Sequence, residues 1–246
     1  METQSNTSFS NLKALFLNCS ITPQRNASHT QLLMNRVAGI MKAEGVSVQH
    51  VYVRDHNVSI GMFEDGASIG ETDDWPAIQE QIMAADIFVL GTPIWLGVKS
   101  SLATLAIERM YAYSGNQNDK KQYLYYGKTG GCVITGNEDG IKHCAMDILY
   151  ALQHIGYTIP PQADCGWIGE AGPGPSYGDV EWKGEKFETP VGYNNEFTNR
   201  NTTFMAWNLM HMAKMLKDND GITAKGNVAD DWLQVTNAKN INPEYK

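Results

Sequence analysis

The chain has 246 residues, 42% apolar and 19% charged, with a formal net charge of −8 and a pI near 5.2. That size fits one large domain or two small ones. The acidic balance argues against nucleic acid or an anionic membrane as the main partner, because both select for basic patches. No apolar run is long enough to span a bilayer, so no membrane span is expected. Polar Met1–Asn11 lacks the basic-then-apolar pattern of a signal peptide, and a cytoplasmic location is expected. On that reading N-x-[ST] triplets such as Asn26-Ala27-Ser28 are chance matches. Cys19, Cys132, Cys144 and Cys165 show no C-x-x-C spacing, so they read as reduced thiols with no metal or iron–sulfur role.

Taken in chain order, strand and helix signals alternate. Leu12–Leu17 is an apolar run that predicts a buried strand. An amphipathic helix is predicted from Ser28 or His29 to about Glu44, stopped by Gly45 as a left-handed cap. Val46–Val53 alternates as a second strand, and a Gly-rich loop, 54–72, follows. Asp73 or Asp74 caps a short helix that tolerates Pro76 in its first turn. Asp86–Leu90 is continuously apolar, as in a parallel sheet covered on both faces. Ser100 or Ser101 opens a helix to about Tyr111, and Gly130–Ile134 is a further buried strand. Glu138 or Asp139 opens a helix to Ile155, with Gly156 as its stop, and Tyr157–Ala163 is predicted as the fifth strand. A Gly/Pro-rich excursion, 166–195, carries Trp167, Tyr177, Trp182, Phe187 and Tyr193, and reads as an active-site cover, a dimer arm or a surface wrap. Thr198–Lys217 is a last amphipathic helix. The expected organisation is a flexible stretch over 1–11, one domain over 12–217 and a polar extension over 218–246 with Trp232 as a candidate anchor. Five strands, each followed by a helix, imply an α/β fold: a three-layer, doubly wound, five-stranded parallel sheet. Ligands then bind outside the carboxyl ends of the strands.

Three loops at that edge carry chemistry. Ser20–Thr30 joins the first strand to a helix N-terminus and is rich in hydroxyls, which makes a phosphate cradle. It has neither G-x-x-x-x-G-K-[ST] nor G-x-G-x-x-G, and suits a terminal monophosphate such as that of FMN. Simple capping of the helix by Ser28 and Thr30 uses the same atoms. Gly91-Thr92-Pro93-Ile94-Trp95-Leu96-Gly97 offers an apolar rim beside exposed backbone for a flat ring, or a Trp packed on a neighbour. Thr135-Gly136-Asn137-Glu138-Asp139-Gly140 supplies polar atoms for a ring edge, with capping as the other role for its two acids.

These loops, in this order and spacing, resemble the flavodoxin-like NAD(P)H-dependent FMN reductase family over about Leu12–Trp167. In a suspected subgroup the likeness continues through Gly169-Glu170-Ala171-Gly172-Pro173-Gly174-Pro175-Ser176-Tyr177 and the last helix. The resemblance implies a sheet ordered 2-1-3-4-5, bound FMN, and NAD(P)H as substrate. The first-loop positions carried over are Ser20, Arg25, Ser28 and Thr30, with Cys19 standing where the family usually has glycine; His29 is added as a possible phosphate neighbour. The second loop matches as Thr92, Pro93, Ile94, Trp95, Leu96 and Gly97, and the third as Thr135, Gly136, Asn137, Asp139 and Gly140. Backbone N–H groups near Ile94–Gly97 and Gly136–Asn137 are candidates for the flavin edge. The implied reaction passes hydride from nicotinamide to flavin and on to a quinone, flavin or similar small acceptor, with no protein nucleophile. A homodimer or homotetramer is implied. His143, near the start of the helix after the third loop, is a candidate to reach a substrate. A flavodoxin-type electron carrier without NAD(P)H turnover, and a flavin-free scaffold, remain as alternatives.

Overall fold

Alternate residues of a strand face opposite sides of a sheet, so a strand that is apolar throughout needs cover on both sides. That condition organises this chain. A computed structural model describes residues 8–64, 72–137, 139–169 and 174–231. Glu138, the stretch 170–173 and Trp232 lie outside them. Five parallel strands form the sheet: β1 (Lys13–Asn18), β2 (Ser47–Tyr52), β3 (Ile87–Trp95), β5 (Thr129–Gly136) and β6 (Asp164–Ile168). Their spatial order is β2-β1-β3-β5-β6, and a two-residue strand, β4 (Val98–Lys99), pairs antiparallel with the end of β3. Counting parallel strands alone, this is the predicted 2-1-3-4-5 order.

The helices are α1 (His29–Ala43), α2 (Trp75–Ala84), α3 (Ser101–Ala112), α4 (Ile141–Ile155) and α5 (Glu196–Asp218). Leu15, Leu17, Phe88, Leu90 and Ile134 pack with α2, α3 and α4 on one face. Ala14, Phe16, Val89, Val133 and Cys165 pack with α1 and α5 on the other. Three layers result. Gly45 (φ 88°) ends α1: its N–H reaches Lys42 O at 3.0 Å, and Val46 N–H reaches Met41 O at 3.0 Å, closing two orphan carbonyls. Asp73, foreseen as a cap, accepts from Trp75 N–H at 3.3 Å and also pairs with the fully buried Arg109 at 2.8 Å.

The helix foreseen from Glu138 or Asp139 begins at Ile141, with Gly140 before it, and two strand boundaries also move. The stretch foreseen as a loop after Leu90 is the continuation of β3: Thr92 and Pro93 pair with Ile134 and Thr135. Proline is tolerated there because β1 ends opposite Gly91, leaving no neighbour on that side to receive an N–H. Leu96 (φ 51°) and Gly97 (φ 78°) then form a two-residue hairpin turn into β4, the positive φ pair of a type I′ turn. The fifth parallel strand is Asp164–Ile168 rather than Tyr157–Ala163. Pro160 and Pro161 offer no ladder donors, Gln162 turns the chain at φ 53°, and the predicted segment contributes only a bridge from Thr158 to Thr129. Cys165, Gly166 and Trp167 are therefore strand residues. The excursion follows Ile168 and includes a small hairpin, β7 (Glu181–Trp182) with β8 (Glu185–Lys186).

Candidate functional site

The carboxyl ends of β1, β3 and β5 meet the start of α1 around a cleft of about 200 Å³. Its wall comes from four segments: Ser20, Thr22, Ser28, His29 and Thr30; Pro93, Ile94 and Trp95; Thr135, Gly136 and Asn137; and Ser176 and Tyr177 of the excursion. The first three are the loops singled out in the sequence, brought together as foreseen.

Ser28 is extended (φ −77°, ψ 110°), and its Oγ accepts from Gln31 N–H at 3.1 Å, capping α1. Ser20 Oγ lies 2.7 Å from Ser28 Oγ and 2.9 Å from the Tyr52 hydroxyl, which donates to Thr22 O at 2.7 Å. Each hydroxyl has one proton, so the chain is directed: Ser28 to Ser20, Ser20 to Tyr52, Tyr52 to the Thr22 carbonyl. Asn18 closes the base, its Oδ1 accepting from Ser20 N–H at 2.8 Å. Leu32 N–H is the first to reach back, to Ser28 O at 3.0 Å, so the His29 and Thr30 N–H groups have no carbonyl within the helix to receive them. Those two donors and the helix dipole are what the cradle offers an anion. Thr30 and Thr135, 105 residues apart, are bonded hydroxyl to hydroxyl at 2.8 Å and clamp loop one to loop three.

The excursion closes the cleft from outside. His29 Nδ1 accepts from Gly178 N–H at 2.9 Å, which places the ring proton on Nε2, 3.8 Å from Asp179 Oδ1. Burial lowers the His29 pKa and Asp179 partly opposes that, so the ring is neutral near pH 7. A Cβ on Gly178 would lie 2.3 Å from Leu32 Cδ1 and 3.0 Å from His29 Nδ1, so a side chain there would have to displace one of them. Tyr177 is fully buried, stands edge-on to Trp167 at 6.1 Å, and its hydroxyl has no partner.

The remaining predicted residues lie elsewhere. Arg25 is paired with Asp55 and largely exposed. Thr92 is buried, and its hydroxyl accepts from Ser100 N–H at 3.0 Å. Leu96 is 90% exposed at the hairpin tip. Gly97, Asp139 and Gly140 line a second cavity, with His143. Gly140 (φ 132°) touches the hairpin so closely that a Cβ would sit 2.7 Å from Gly97 O. Tyr52 and Asn18 were missed as parts of the cradle; a polar residue ending a strand next to the first loop was the available signal.

A hydroxyl-lined helix start at α1, a half-exposed Trp95 at the hairpin and a polar third loop meet at one edge of a 2-1-3-4-5 sheet, the arrangement of a flavodoxin-like fold. The model for NADPH-dependent FMN reductase matches residues 12–167, well over half of the chain. The chain belongs to this family, an oxidoreductase family that uses FMN and NAD(P)H. It is 34% identical over 213 residues to 8-demethyl-8-aminoriboflavin-5′-phosphate synthase of Streptomyces davaonensis, covering 84% of this chain and 79% of that protein. RosB, solved with its bound intermediate 8-demethyl-8-formylriboflavin-5′-phosphate, superposes with a TM-score of 0.78 at 32% identity, covering 93% of this chain and 87% of that one. A flavone reductase shares the fold, with a TM-score of 0.56 at 14% identity over 84% of this chain and 64% of that one. The chain is also 52% identical over 210 residues to the divalent metal cation transporter MntH of Mycobacterium bovis; the match covers 85% of this chain but only 30% of that protein. Among the described residues no helix is long and apolar enough to cross a membrane.

Proposed function

We propose that the chain is an FMN-dependent NAD(P)H oxidoreductase that reduces a quinone, a flavin or a similar small acceptor. The observation that carries this is the cleft: a helix start with two unreceived N–H groups, hydroxyls beside it, and a buried Tyr177 hydroxyl without a partner in its wall. These groups fit a phosphate and its polyol chain. Ser20, Ser28, His29, Thr30, Thr135 and Asn137 would hold that end, and Pro93–Trp95 would border the ring. Bound there, FMN supplies two-electron transfer between nicotinamide and acceptor. The chain's own part is to bind, to orient, and to exclude water through the excursion. A dimer or tetramer goes with this reading, supported by the exposed Trp95, Leu96 and Val98 on one hairpin, and a cytoplasmic location is part of the same reading. The purified protein is expected to be yellow, to release FMN by mass, and to consume NADPH or NADH steadily with menadione. A flavin-loaded protein with no turnover on either nucleotide makes it an electron carrier, and failure to take up FMN removes both readings.

The RosB likeness favours a second reading. It covers more of the chain than the family match does, extending past residue 167. On this reading the flavin phosphate is itself the molecule transformed. The mass of the flavin recovered after incubation with dioxygen and an amino-acid amine donor decides: an unchanged FMN mass excludes it.

A further inference from the structure

Behind the cleft, a file of side-chain hydrogen bonds leads away to the half-buried His50 of β2, outside the cleft's lining. Asn18, the last residue of β1, is fully buried and stands at its head. Its Oδ1 accepts from Ser20 N–H at 2.8 Å, and its Nδ2 donates to Gln31 Oε1 at 2.9 Å and lies 3.5 Å from Ser28 Oγ. Gln31 Nε2 carries two protons, one for Asn35 Oδ1 at 2.8 Å and one for His50 Nδ1 at 3.0 Å. The His50 ring is stacked on Phe16 of β1, with centroids 5.1 Å apart.

One end of this file is fixed. Ser20 N–H is a backbone donor, and it can meet only the oxygen of the Asn18 amide. Asn18 therefore presents its nitrogen to Gln31, which answers with oxygen, and Gln31 presents its nitrogen to His50. His50 Nδ1 is left the role of acceptor, so its ring proton belongs on Nε2. Turning the Gln31 amide over to suit a proton on Nδ1 would set nitrogen against nitrogen at Asn18. Turning Asn18 as well would set its nitrogen against Ser20 N–H. A protonated His50 has no place in the file while Asn18 holds Ser20. Burial and the Lys42 charge on α1 both lower the His50 pKa, which keeps the ring neutral near pH 7. The other groups that meet the ring are Phe16 of β1 and the Gln31 amide of α1.

We propose that Asn18 and Gln31 are positioning residues for the anion seat at Ser20 and Ser28, and that protonation of His50 weakens anion binding there by disturbing them. The proposal rests on the flavin reading of the cleft for its ligand. A charge on His50 would also attract a phosphate directly, but two intervening side chains and physiological salt weaken that attraction.

FMN affinity of the full chain, read by fluorescence titration from about pH 7.5 down to about pH 5, tests the proposal against two variants. His50→Phe keeps a ring on Phe16 and removes the titrating group. Protonation of the FMN phosphate itself acts alike on parent and variant, so the ratio of their affinities isolates His50. Over this range the parent's affinity is expected to fall about threefold to tenfold further than that of His50→Phe. Gln31→Glu still accepts from Asn18 but turns a second oxygen to His50, which draws a proton onto Nδ1 and raises the pKa. Nitrogen NMR of the ligand-free chain near pH 7 should find the His50 proton on Nε2 in the parent and a proton on Nδ1 in Gln31→Glu. A merely structural role for the file would move neither that tautomer nor the pH profile. FMN binding with equal pH profiles in parent and His50→Phe, an Nδ1 proton in the neutral parent ring, or an unmoved tautomer in Gln31→Glu overturns the proposal and leaves the flavin reading standing. No FMN binding to the parent at any pH removes both.

Discussion

The two ends of the same sheet are finished differently. At the amino ends of the strands, lysines close main-chain carbonyls. Lys128 donates to Met83 O at 2.6 Å and Ala85 O at 2.7 Å, and Lys217 reaches Asn11 O at 2.7 Å and Asp86 at 2.9 Å. Asp86 also accepts from Lys13 N–H at 2.8 Å, tying β1 to the start of β3. At the carboxyl ends no such staples occur among the cleft's described lining. Small hydroxyls satisfy one another, two helix N–H groups face the cleft unreceived, and a buried Tyr177 hydroxyl lacks a partner. A sheet end closed by charged staples is built for stability. One that leaves donors open is built to be completed by something else.

The sharpest way to break this comparison is to strip the open end. Ser20→Ala with Ser28→Ala is expected to weaken FMN binding about a hundredfold and to cost α1 about 1 kcal/mol through its lost cap. Fluorescence titration with FMN and thermal melts measure the two effects separately. Unchanged FMN affinity would mean that this cleft is not the phosphate seat. A smaller effect is expected at the clamp between loops. Thr30→Val leaves Thr135 Oγ1 buried and unpaired, at about 1–3 kcal/mol, and Thr30→Val with Thr135→Val together should recover most of that loss. Denaturant unfolding of the cycle reads the coupling.

The remaining effect, comparable in size to the clamp's, belongs to the closed end and depends on pH. Burial pushes the Lys128 ammonium down to about 8, with Asp86 opposing and Lys217 adding. The folded value lies below the unfolded one of about 10.4, so between the two the unfolded chain binds more protons and stability rises with pH. The stability difference, parent minus Lys128→Met, should therefore grow from pH 8 to about pH 10. A flat difference would show that Lys128 keeps an ordinary affinity for its proton.

Features written in adjacent residues were legible in the sequence. The apolar run of β1, the Ser28 cap, the Gly45 stop and the three loops that meet at the cleft were all recognised there. Contacts that join distant segments were not. The Ser20–Tyr52 bond spans 32 residues and the Thr30–Thr135 bond 105, and no local pattern announces either. The misplaced fifth strand has a similar cause. Tyr157-Thr158-Ile159 has strand propensity, but the strand that pairs is decided by where β5 offers partners and where proline withholds donors. The hairpin at Leu96-Gly97 went unseen because Leu rarely takes positive φ, and only the pairing of Trp95 with Val98 reveals the turn.

One bond at the β6 margin has a bearing on how copies of this chain associate. β6 is an outermost strand, and such a margin ordinarily templates another chain, by ordered strand addition or by aggregation. Here the Thr198 hydroxyl donates to Gly166 O at 3.0 Å, so the start of α5 occupies an acceptor that an incoming strand would need. With only five residues and that acceptor taken, β6 is a poor template. Assembly through side chains, such as those exposed on the β3–β4 hairpin, is left as the easier route, and concentrated solutions should resist fibril growth from this margin.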